Sequence, residues 1–291
     1  MVTQALEQAV DALDSGRAFA ELEDVAVTIV SGGDARDWLN DLVTTDVMTL
    51  ERFDTRPSLL LSPTGRIRAS FHVLGLGDTG FALAQPSDHP VRVADLLGPY
   101  VLSSDVTTYP SRFRLFAVPG GDASPSWLDD VWRPSVLADG FDILVGASDE
   151  DVLDDVRERL RNDGLEAVGP DAVGARRILR GDPAFPADLD EESLPAEAGL
   201  DGPPVTDRSK GCFLGQEAVA KVANRGHPTR VVLAVDVGGP VATGEEVLAD
   251  GRVAGVVTSA WGDRGLVRLR WEARDLALST ASGTPIRRRS G

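Results

Sequence analysis

Helix and strand signals interleave through the first 225 residues without the regular strand–helix–strand period of a doubly wound sheet, and beyond Pro228 only short strands remain. That pattern restricts the fold to an α+β architecture followed by a small barrel or sandwich. Gln4 to Leu13 carries apolar residues at helical spacing and stops at Ser15-Gly16, and Val25 to Val30 predicts a buried strand. Ser31-Gly32-Gly33-Asp34 opens a helix with Trp38, Leu39 and Leu42 on one face, and Leu59 to Leu74 reads as a hairpin turning at Pro63-Thr64-Gly65. Pro90 to Leu97 is predicted helical, with strands at Val106 to Tyr109, Phe113 to Val118 and Phe141 to Val145 and a surface excursion over Gly120 to Pro134. Ser148 is expected to cap a helix over Asp151 to Arg161, and Asp171 to Leu179 gives another before a Pro-rich irregular stretch, Gly181 to Pro204. Short strands then follow at Val231 to Val237, Glu246 to Leu248, Val253 to Thr258 and Leu266 to Trp271. A boundary at Arg225-Gly226 divides the chain into 1–225, with an internal boundary near residue 110, and 226–291.

Gly75-Leu76-Gly77-Asp78-Thr79-Gly80 matches the Gly-x-Gly-x-x-Gly dinucleotide fingerprint, but Phe81-Ala82-Leu83-Ala84 after it is strand-like. With no helix to bind phosphate, it reads as a hairpin turn. The three histidines, His72, His89 and His227, lack metal-ligand spacing, and no Gly-x-Ser-x-Gly elbow occurs.

The chain has 46 acidic against 29 basic residues, for a net charge of −17. Nucleic-acid binding is disfavoured, since phosphate affinity needs clustered Lys and Arg. The one basic run, Arg287-Arg288-Arg289, reads as a frayed tail. Only two basic residues are lysine, a surface like that of proteins from salt-loving cells, where concentrated ions screen carboxylate repulsion. No apolar run long enough to span a membrane and no signal-peptide layout is present, so a monomer in the cytoplasm is expected. A single cysteine excludes an internal disulfide and any Cys-based zinc or four-thiolate iron–sulfur site built by one chain.

That cysteine, Cys212, and both lysines, Lys210 and Lys221, fall within sixteen residues, Lys210 to Arg225. Gly211 and Gly215 permit a sharp turn or close approach to a ligand, and Gly215 precedes a short amphipathic helix, Gln216 to Val222, whose free amides favour an anion. Lys210 and Arg225 add charge for a carboxylate, and Cys212 between a lysine and a helix start is placed to have thiolate character. On chemistry alone a structural reading stands beside this one: Cys212 as a small buried hydrophobe, the glycines as interdomain turn residues.

Lys210-Gly211-Cys212-Phe213-Leu214-Gly215-Gln216-Glu217 followed by Arg225-Gly226 resembles the signature of the YgfZ-type folate-binding proteins, relatives of the glycine-cleavage aminomethyltransferases. Weaker resemblances to that superfamily are carried by Trp38 to Val47, Leu61 to Ile67, Gly174 to Pro183, Pro195 to Leu200 and Gly255-Val256-Val257-Thr258-Ser259. The resemblance implies a ring of aminomethyltransferase-like α+β subdomains holding tetrahydrofolate or a related folate, then a C-terminal β-barrel. It implies folate contacts from Asp46, Asp182, Lys210, Gly211, Gly215, Gln216, Glu217 and Arg225, with Cys212 as the functional thiol and no bound metal. Asp182 stands where the family has a folate-contacting glutamate, one methylene longer.

One departure bears on activity. The transferases carry paired aspartates in a Gly-Gly-Ile-x-Asp-Asp hairpin, and the corresponding stretch is Gly65-Arg66-Ile67-Arg68-Ala69-Ser70. A methyl and a hydroxyl supply neither the charge nor the base. The expected function is therefore support of iron–sulfur cluster assembly or repair in client proteins, including tRNA-modifying enzymes, without transferase chemistry. The alternatives are a tetrahydrofolate-dependent aminomethyltransferase and a structural adaptor.

Overall fold

The computed structural model describes residues 2–86, 89–120, 127, 140–146 and 149–289. The chain forms two compact units that do not follow sequence order. One comprises residues 1–61, 68–173 and 203–214, the other 62–67, 174–202 and 215–291.

The first unit is built on a seven-stranded sheet. Helix α1 (Val2–Asp14) leads into β1 (Ala18–Ser31), a strand more than twice the length expected from the Val25 to Val30 run. Strands β2 (Thr55–Leu61), β3 (Ile67–Gly75), β4 (Phe81–Gln85), β5 (Thr107–Val118) and β6 (Phe141–Gly146) complete the order β2-β3-β4-β1-β5-β6, and β7 (Glu166–Val168) pairs in parallel with β1. The Gly75 to Gly80 segment is the β3–β4 turn, with Leu74 opposite Ala82, so its glycines serve a hairpin as expected. The two strands anticipated at Val106 to Val118 are one. Pro110 sits opposite Thr28 on β1, beyond the stretch that β6 covers, where a missing N–H is tolerated.

Alternation along β5 separates two cores. Phe116 and Val118 pack with Phe19, Ile143 and the apolar stripe Leu153, Val156 and Leu160 of α4 (Glu150–Asn162), while Leu115 and Ala117 pack with Val25, Val27 and Leu144. The α4 cap is Asp149, whose carboxylate accepts from the Val152 amide; Ser148 and most of the Gly120 to Pro134 excursion lie outside the described residues. A third core joins α2 (Ala35–Asn40) and α3 (Val93–Leu97) to Val30, Ala69, Phe71, Val73, Phe81 and Leu83.

His72, on the other face of β3, is desolvated by burial, which holds its imidazole down to about 4. The unfolded chain takes up the proton near 6.5, so His72 costs nothing above that pH and stability falls as pH drops from 6.5 towards 4. The slope is at most about 1.4 kcal/mol per pH unit. His72→Gln is expected to flatten the fall in unfolding midpoint between neutral pH and pH 5, and an unchanged slope would remove His72 as its source.

Helix α5 (Pro170–Arg180), where Asp171 to Leu179 was expected to be helical, carries the chain from the first unit into the second, which is centred on a closed six-stranded barrel. Strands β8 (Arg230–Val237), β9 (Glu246–Ala249), β10 (Arg252–Trp261), β11 (Arg264–Arg270), β12 (Leu278–Thr280) and β13 (Pro285–Arg288) join in the order β10-β11-β8-β13-β12-β9. Val235, Val247, Val257, Val267 and Leu269 fill its core. The last two strands were not anticipated, and Arg287 and Arg288 belong to β13 rather than to a frayed tail. Among the described residues no helix is long and apolar enough to cross a membrane.

Candidate functional site

The signature segment is shared between the two units. Residues up to Leu214 belong to the first, and Gly215 onwards to the second.

In the first unit the approach to the signature is tied to the loop after α2. The Thr44 hydroxyl donates to the Val205 carbonyl at 2.7 Å, and the Asp207 amide donates to the Thr44 carbonyl at 2.9 Å. These bonds deliver Lys210 so that its ammonium donates to the Asn40 carbonyl and lies 5.6 Å above the Phe213 ring. Phe213 is buried, and Leu214 packs against the α2–α3 core. Burial of the Lys210 amine lowers its pKa, and Asp46, Asp41, Asp207 and Cys212 pull in the opposite direction. Asp207 is held below the carboxylate range by hydrogen bonds from the Ser209 hydroxyl and amide, with Lys210 adding to them. Lys210 is therefore a half-desolvated cation among acidic groups, held by a carbonyl rather than by a direct ion pair.

Asp46 belongs to the same unit, where its carboxylate shapes a turn by accepting from the Met48 amide at 2.8 Å and the Thr49 hydroxyl at 3.0 Å. Gly211 adopts φ +108°, a conformation that favours glycine, and Cys212 after it is exposed. The alternative of a buried small hydrophobe is thereby set aside.

On β3 the burial alternates. Ile67, Ala69 and Phe71 are buried, while Arg68, Ser70 and His72 share the opposite face. Ala69, at one of the two positions that the sequence resemblance pairs with the transferase aspartates, thus points into the α2–α3 core. Arg68 was not singled out from sequence. Its Nε is buried and lacks a hydrogen-bond partner, an N–H left to donate to an anionic or carbonyl group. The signal in the sequence was its spacing, two residues before Ser70 in the aspartate-less hairpin.

In the second unit Gly215, at φ +82°, starts α6 (Gln216–Arg225), with Gln216 partly exposed and Glu217 exposed in its first turn. The 62–67 turn packs against this helix start. Gly65 adopts φ +78°, and a Cβ there would lie 2.6 Å from the Ala218 Cβ. Gly65→Ala is expected to cost about 1–3 kcal/mol through overpacking and backbone strain, read from the unfolding midpoint. A cost near zero would mean that the turn is not seated on α6. The side chain of Arg225 lies outside the described residues. Asp182 is mostly exposed, with its carboxylate 3.5 Å from Arg180.

A buried carboxylate absent from the sequence expectations organises this unit. Asp188 is fully enclosed, and one of its oxygens accepts from the hydroxyls of Thr258 at 2.6 Å and Ser259 at 2.7 Å. The other accepts from Arg177 at 2.5 Å and the Ala184 amide at 2.9 Å. Successive residues of a regular strand point to opposite faces; a bulge between Val257 and Ser259 allows both hydroxyls to meet one oxygen. Gly255 opens the same motif because a Cβ there would lie 2.1 Å from the Arg268 carbonyl oxygen. Arg268, in turn, binds Asp190 at 2.6 Å and the buried Glu197 at 2.9 Å. Two carboxylate clamps therefore fix the Pro-rich segment to the barrel. Among the described residues no group of three or more His, Cys, Asp or Glu could hold a metal.

The profile of the CAF17 C-terminal beta-barrel domain matches residues 229–289. A solved glycine cleavage system aminomethyltransferase T from Bartonella henselae superposes with a TM-score of 0.78 at 18% identity, covering 97% of this chain and 88% of its own. The chain has the aminomethyltransferase-like fold. Within that fold, sequence relatives include a chloroplastic protein of Arabidopsis thaliana, 23% identical over 96% of this chain and 71% of its own. Another is the mitochondrial iron-sulfur cluster assembly factor IBA57 homolog of Cryptococcus neoformans, 27% identical over 74% of this chain. The chain spans 65% of the length of that assembly factor.

Proposed function

We propose that this chain is a folate-binding protein of the YgfZ type that supports assembly or repair of iron–sulfur enzymes and does not transfer an aminomethyl group. The observation that carries the reading is the partly buried face of β3, which presents Arg68, Ser70 and His72 in an aminomethyltransferase-like fold, on a strand that carries no carboxylate of its own. The similarity to an iron-sulfur cluster assembly factor supports the client class. The signature resemblance supports folate as the ligand, and the residues are compatible with it. Lys210 and the unpartnered Arg68 Nε offer donors for its carbonyl or carboxylate groups, and folate would supply a reduced pterin. Cys212 is the accessible thiol of the signature.

Function in the cytoplasm as a monomer, with tRNA-modifying enzymes among the clients, completes the reading. Its test is genetic. Cells lacking the protein are expected to lose iron–sulfur enzyme activity and modified tRNA nucleosides, with both restored by the wild-type chain but not by Cys212→Ser. Normal levels of both in the deletion strain would remove the proposed function.

A further inference from the structure

Arg268 of barrel strand β11 joins two carboxylates that bracket a short loop. Its guanidinium binds Asp190 at 2.6 Å and the buried Glu197 at 2.9 Å. Inside that bracket Ser193 is fully buried, and its hydroxyl donates to the second oxygen of Asp190 at 2.8 Å while accepting from the Asp190 amide at 2.9 Å. The Ser193 amide donates to the Asp190 carbonyl at 2.9 Å, and Glu197 accepts from the Leu194 amide at 3.3 Å. The Ser193 carbonyl points the other way. It accepts from the Ile67 amide at 3.0 Å, and beside it the Arg66 guanidinium donates to the Glu192 carbonyl. Ile67 is the first residue of β3 and the one before Arg68.

We infer that Arg268 is a positioning residue for Arg68: it holds the 190–197 loop so that the Ser193 carbonyl fixes the first amide of β3, and with it the direction of the next side chain. That direction depends on the backbone, because successive side chains of a strand leave it on opposite faces and the buried Nε of Arg68 has no bond of its own to orient it. A ligand donor held in place before the ligand arrives loses less freedom on binding. Arginine suits the task, since its fork spans two carboxylates where the point charge of a lysine holds one. The inference rests on the proposed reading of Arg68 as a folate contact.

The test is a double-mutant cycle read by calorimetric titration of tetrahydrofolate into the full chain. Arg268→Lys keeps one ion pair but cannot span both carboxylates, and Ser193→Ala unties the loop from the Asp190 carboxylate while leaving both ion pairs in place. Each is expected to weaken binding by about three- to ten-fold when Arg68 is present and by less than about two-fold in the Arg68→Ala background, as for residues that act through one network. Hydrogen exchange at the Ile67 amide, followed by NMR without ligand, should quicken in both variants. Equal losses with and without Arg68 would reduce the loop to a structural role and overturn the inference, as would an Ile67 amide that exchanges at the wild-type rate; folate binding itself, and the proposed function, would then still stand. Failure of the folded wild type to bind folate would overturn the proposed function and this inference with it.

Discussion

Asp188→Ala is expected to destabilise the barrel-bearing unit by about 3–5 kcal/mol, the usual cost of removing one partner of a buried, hydrogen-bonded ion pair. The size follows from what is left behind. Arg177 is mostly buried and loses its carboxylate, while two hydroxyls and the Ala184 amide lose their shared acceptor. Asp188→Asn is expected to do nearly as badly. Its amide can accept at one oxygen from Thr258 and Ser259, but its NH2 would face the donors of Arg177 and Ala184. Denaturant titrations measure both variants, and a loss below about 1 kcal/mol for Asp188→Ala would show that the Pro-rich segment is held by other contacts.

Aminomethyl transfer is the second large effect. Loss of general acid–base assistance lowers a rate by about 10²–10⁴, so the purified chain should form methylenetetrahydrofolate from an aminomethyl-lipoyl carrier no faster than that deficit allows. Ala69 cannot be rescued simply, because its side chain faces the core and an aspartate there would be buried. Ser70→Asp is the informative variant, since Ser70 lies on the half-exposed face of β3 with Arg68. Transfer at the rate of an aminomethyltransferase, abolished by a change at Asp78 in the exposed β3–β4 turn, would make this chain an enzyme.

The parts of the fold that were legible in the sequence have local signals. The helix over residues 4 to 13, the hairpin turning at Gly65 and four of the barrel strands follow from periodicity and turn chemistry. The short strands β12 and β13 offered too few alternating residues, and three consecutive arginines masked the second. Pro110 suggested a break in β5 because the pairing that tolerates it is a property of the sheet. In the candidate site, the Lys210 to Glu217 segment stood out by its rare residues. Asp188 did not, since its role depends on Arg177, far before the barrel, and on a bulge at Thr258 that only the β10–β11 register creates. Nor did Arg68, whose significance lies in an unpartnered buried nitrogen.

Calorimetric titration of tetrahydrofolate, in salt concentrated enough to screen so acidic a surface, tests the central claim most directly. One folate per chain should bind to the wild type, more weakly to Lys210→Ala and Arg68→Ala, with no transfer product formed on adding the aminomethyl carrier. Absence of binding by the folded wild-type chain, or affinity indifferent to both substitutions, would contradict the account.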